Sequence, residues 1–130
     1  VVLVTEITLA AARDCIRFLA WFKSHAPQAS VILVANRVAP AAAGTEISRK
    51  DFEDSIERKI DFVIPLDQKL AAQAAKLGKP LAEAGKGAKV AQALHGLSGR
   101  LISASGEGPS ASGAPRGTSL LGKLGELKVK

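Results

Sequence analysis

Three short apolar runs limit most strongly how this chain can fold: VVLV at 1–4, VILVA at 31–35 and IDFVI at 60–64. An apolar run without polar alternation belongs to a strand buried on both faces, which is the habit of parallel sheets. The stretches between the runs have helical spacing. From about Leu9 to Ser24, apolar residues recur at Leu9, Ala12, Ile16, Leu19 and Ala20, and Pro27 closes that helix. Ser48 and Asp51 resemble a capping box with Asp in the Glu position, opening a helix through Phe52 and Ile56. Asp67 is an N-cap for a helix through Leu77, which Gly78 stops. The alternation predicts an α/β fold, a parallel sheet wrapped by helices on both faces. Its crossovers are right-handed, so the C-terminal ends of all three strands share one edge. That edge carries Thr5-Glu6, Asn36-Arg37 and Pro65-Leu66-Asp67. In open parallel sheets this is the edge where ligands bind.

The rest of the chain is simpler. Ala39–Thr45 is a small-residue loop, Pro80 starts a helical turn, and Lys89–Ile102 is a last helix weakened by Gly96 and Gly99. Residues 103–119 are rich in Ser, Gly, Pro and Ala, and read as a flexible linker. In residues 120–130, Leu120, Leu121, Leu124 and Leu127 share one helical face beside Lys123, Lys128 and Lys130. That is the pattern of a short interfacial helix able to meet an anionic membrane surface. The 130 residues suffice for one domain with a core, here placed over 1–102. The chain opens on strand-like VVLV without Met, so an upstream half is expected to precede it.

The net charge of +6 is uneven. Residues 68–102 hold Lys69, Lys76, Lys79, Lys86, Lys89 and Arg100 against Glu83 alone. This is either a solvated helical face or a surface for an anionic partner, DNA or lipid headgroups. Cys15 is the single cysteine, so no disulfide forms within the chain, which fits a cytoplasmic protein. His25 and His95 lack companions at metal-ligand spacing, and no G-x-S-x-G elbow is present, so no catalytic residue and no metal ligand is assigned. Gly85-Lys86-Gly87-Ala88-Lys89 has neither the spacing nor the hydroxyl of a phosphate loop and follows a helix.

The segments VVLVTEITLAAARDCIRFL, VILVANR and DFEDSIERKIDFVIPLDQKLAAQAAKLGKPL, in that order, resemble the C-terminal half of a MinD/ParA-type P-loop ATPase with a deviant Walker motif. Within that superfamily they are most similar to the CpaE/TadZ proteins of Tad (Flp) pilus assembly. The resemblance covers roughly residues 1–102. It implies a cofactor, ATP, bound as Mg-ATP in the complete protein, with Asn36 at the adenine edge and Arg37 flanking the base. An amide can offer a donor and an acceptor, and a guanidinium plane can stack on a π face. It also implies that Pro65, Leu66 and Asp67 line the other side of the base, with Asp67 equally readable as a helix cap only. Glu6, Arg13 and Asp14 are placed near a homodimer face. The Walker A loop and the Mg²⁺ carboxylate lie outside these segments, so this chain by itself is not expected to hydrolyse ATP.

Three functions compete. The first is a nucleotide-dependent, dimerising switch that positions pilus or secretion machinery, cytoplasmic and in part membrane-associated or polar. The second is a non-enzymatic ParA-like module binding DNA through the basic 69–100 region, with steep salt dependence. The third, a response-regulator-like domain, lacks its acidic cluster at the strand ends.

Overall fold

The computed structural model describes residues 1–40 and 46–106. Loop residues 41–45, most of the 103–119 linker and the 120–130 segment lie outside the described residues. Strands β1 (Val2–Thr5), β2 (Ile32–Val38) and β3 (Phe62–Pro65) form a parallel sheet in the order β1-β2-β3. Helices α1 (Leu9–His25) and α2 (Arg49–Ser55) make the two crossovers. Helices α3 (Gln68–Leu77), α4 (Leu81–Ala84) and α5 (Lys89–Ala104) follow β3.

Local chemistry sets the helix limits. The Thr8 hydroxyl accepts the Ala11 N–H at 3.1 Å and starts α1. Ser48 accepts the Asp51 N–H at 3.1 Å, while its hydroxyl donates to the Asp51 carboxylate at 2.6 Å, a variant of the box the sequence suggested. Asp67 caps α3 by accepting the Leu70 N–H at 2.9 Å. Gly78, in the left-handed region at φ 60°, ends α3, where a Cβ is disfavoured. Helix α5 runs to Ala104, two residues beyond the Ile102 end read from the sequence.

The pleat sorts the core into two sides. On one side, Leu33 and Ala35 of β2 pack with Ala12 and Cys15 of α1, Phe52 of α2, and Ile56 and Ile60. On the other, α5 lies against β3, so close that a Cβ on Gly96 would stand 3.4 Å from the Phe62 ring. Val90 and Ala91 of α5, with Leu70 and Ala74 of α3, are buried there. Val34 of β2 is fully buried, but Val4, its partner across the β1–β2 ladder, is 57% exposed. Among the described residues nothing covers the Val4 face of β1, because α5 packs against β3 and does not extend beneath β1. On α1, Phe18 and Trp21 on the β1 flank are also exposed.

Candidate functional site

Strand β2 does not stop before Asn36-Arg37, as the polarity of that pair suggests. It pairs with β3 at Ala35↔Val63 and again at Val38↔Pro65, so β2 spends one more residue than its partner over that interval. The extra residue is accommodated as a bulge, with Arg37 at φ 56°. A left-handed non-glycine residue is uncommon and needs local support. Asn36 supplies it, its side-chain Oδ1 accepting the Arg37 N–H at 2.9 Å.

The bulge fixes where both side chains go. Arg37 Nη1 donates to Glu6 Oε1 at 3.2 Å, bridging the ends of β2 and β1. Asn36 lines a hollow of about 500 Å³ formed by β1 and the flank of α1, including Thr5, Glu6, Asp14 and Phe18. Arg13 is exposed on α1 and lines neither this hollow nor the cleft described next. Pro65, Leu66 and Asp67 lie elsewhere on the same edge. With Val38, Ala39 and Pro40 they wall a cleft of about 610 Å³, and its far wall is Gly87, Ala88, Lys89 and Val90. The Leu66 N–H donates to the Val38 carbonyl at 2.9 Å, which ties the first two walls together. The structure thus divides the five candidate base-site residues into two groups. Asn36 and Arg37 face the β1 side of the central strand, and Pro65, Leu66 and Asp67 face the β3 side.

The 87–90 wall was not legible as part of any site. Gly85 allows its approach: a Cβ there would lie 2.4 Å from a methyl of Leu70, so the turn between α4 and α5 sits directly on α3. The cleft has the size of a small-molecule site. Its volume is within the roughly 300–1,000 Å³ of small-molecule pockets, and it combines apolar walls with a few polar groups at the rim. Val38, Pro65 and Leu66 are apolar residues of its lining, and Asp67 and Lys89 are the charged ones.

Glu53 is the other polar residue that sequence reasoning missed, and it lies at the opposite, N-terminal edge of the sheet. It is buried, accepts the Ile60 N–H at 3.0 Å, and pairs with Arg49 at 2.9 Å and Lys59 at 3.1 Å. The Ile60 N–H, with the Arg49 and Lys59 cations, outweighs the cost of burial and holds its pKa down at about 2. Every one of its partners belongs to the fold, so its role is structural. Among the described residues no cluster of His, Cys, Asp or Glu fits a metal ion, and no helix is long and apolar enough to cross a membrane.

No protein-family model matches the chain, and neither does any curated protein. Solved structures do match. A ParA family ATPase from Chlorobium tepidum TLS aligns over 71% of this chain and 38% of its own, with TM-score 0.60 and 20% identity. The MinD cell division protein of Aquifex aeolicus aligns over 78% of this chain and 43% of its own, with TM-score 0.63 and 21% identity. MinD in the MinC:MinD cell division protein complex of the same organism gives 78%, 42%, 0.64 and 21%. This chain therefore spans less than half the length of each of these three structures, and over that span it has the parallel α/β fold of the MinD/ParA-type P-loop ATPases.

Proposed function

We propose that this chain forms the base-binding side of the ATP site in a MinD/ParA-like ATPase that dimerises and serves Tad (Flp) pilus assembly. The cleft between Val38–Pro40, Pro65–Asp67 and Gly87–Val90 carries this reading. It lies at the C-terminal ends of parallel strands, where such sheets take ligands, and its walls suit a flat heterocycle. The phosphate-gripping loop and the Mg²⁺ carboxylate belong to the remainder of such an ATPase, so the share of the work done here is recognition of the base. Asn36 and Arg37 brace the neighbouring stretch of the edge. Glu6, Arg13 and Asp14 are exposed at or beside it, where a second copy would meet. The pilus role rests on the ordered motifs T-x-E, strand-Asn-Arg, I-P-x-D and A-x-L-G-K-P-L.

The test is titration of ATP against the intact protein and its Leu66→Asp variant. A carboxylate placed in the apolar wall should weaken ATP binding by about tenfold or more, since burying a charge without a partner is costly, with the fold retained by circular dichroism. Unchanged ATP affinity in the folded variant would overturn the base-site reading. Normal piliation after deletion of the gene would overturn the pilus role separately.

A further inference from the structure

We propose that Lys89, at the start of α5, is the cation that flanks the bound base, in place of Arg37. The proposal rests on the base-binding reading of the cleft. Strand β2 is the middle strand, with β1 on one side and β3 on the other. The Arg37 guanidinium is engaged on the β1 side, 3.2 Å from Glu6. The cleft opens on the β3 side, and Arg37 is not among the residues that line it. Lys89 does line it, next to Val90 and across from Leu66. Among the described residues no carboxylate oxygen lies within ion-pairing distance of the Lys89 ammonium, whereas Lys79 is held by Glu83 at 3.2 Å. The other charged group of the cleft, Asp67, spends one carboxylate oxygen on the Leu70 N–H. Lys89 is therefore the cation free to meet the electron-rich face or the ring-nitrogen acceptors of a purine. Lys89 is exposed at the rim, so the contact is that of a solvated cation with a π face.

The experiment measures ATP and ADP affinity of the intact protein and of Lys89→Gln, Lys89→Arg and Arg37→Gln, each checked for folding by thermal melting. Lys89→Gln should weaken both nucleotides by the same factor, about 3-fold, the scale of an exposed cation–π contact. Lys89→Arg should restore most of that loss, and Arg37→Gln should lose less than Lys89→Gln. An Arg37→Gln loss as large as that of Lys89→Gln would overturn the proposal. So would a Lys89→Gln loss that is large for ATP and small for ADP, because the lysine would then serve the phosphates. If the wild-type protein binds neither nucleotide, the base-binding reading itself falls, and this one with it. If ATP binds and Leu66→Asp weakens it while Lys89→Gln does not, this proposal alone falls.

Discussion

The two ends of the sheet are built on opposite plans. At the N-terminal end, polar groups are tied back into the fold: Glu53 to the Ile60 N–H, the Asp61 carboxylate to the Leu33 N–H at 2.7 Å, and Arg58 to the Val31 carbonyl. At the C-terminal end, Glu6, Arg37 and Lys89 are exposed and Asp67 is half-buried. Arg37 and Glu6 hold each other in water, and Lys89 and Asp67 stand at an open cleft. Pairing at one end fixes the crossovers. At the other end the bonds are fewer and lie at the surface, where solvent or a ligand can compete for them.

Substitutions that respect this division should separate stability from binding. The largest loss of stability should come from the closed end. Glu53→Ala leaves the buried Ile60 N–H without a partner and should cost about 2–3 kcal/mol, read by denaturant unfolding. A cost near zero would mean that this end is not the clamp described. The same carboxylate gives a pH signature. Its folded pKa, about 2, lies below the ordinary 4.5, so its stabilisation is complete above about pH 4.5 and drains away as pH falls toward 2. In Glu53→Gln that part of the acid sensitivity should be absent.

An intermediate effect is expected where the open end leans on the core. Gly85→Ala drives a methyl into buried Leu70 and should cost about 1–2 kcal/mol, the scale of overpacking. It should also weaken ATP binding, because the 87–90 wall of the cleft follows that turn. Binding that is untouched despite lost stability would uncouple the wall from the packing beneath it. The smallest effect belongs to the exposed pair. A double-mutant cycle on Glu6 and Arg37 should give a coupling of about 0.2–1 kcal/mol that shrinks with added salt. A larger, salt-insensitive coupling would contradict the exposed setting of the open end.

The parts legible in sequence were those with local causes. The Leu9 and Gln68 helix starts, the Gly78 stop and the buried run of β2 each follow from a few adjacent residues. The end of β2 did not. Polar Asn36-Arg37 reads as a loop, yet the strand continues through it, because a bulge with Arg37 at positive φ is stabilised by an amide next door and by two neighbouring strands. Arg49 stands four residues before Glu53, a spacing visible in sequence, but the Ile60 N–H that matters most becomes a partner only after the turn into β3 closes. The cleft was half legible. Pro65–Asp67 sat at a predictable strand end, whereas Gly87–Val90 comes from a turn some twenty residues later that α3 and α4 fold back.

The ladder has a consequence for the order in which the chain assembles. Val2 pairs with Ile32 and Val34 with Phe62, so each crossover closes a loop of similar length. Loop entropy grows slowly, by about 0.6 kcal/mol per doubling of length, and does not favour either closure. What separates them is that β2 belongs to both. In chain order β2 follows β1 and precedes β3, so β3 finds β2 already made. Strand β2 is therefore the hinge of assembly: both closures wait on it, and a substitution that delays its pairing delays both.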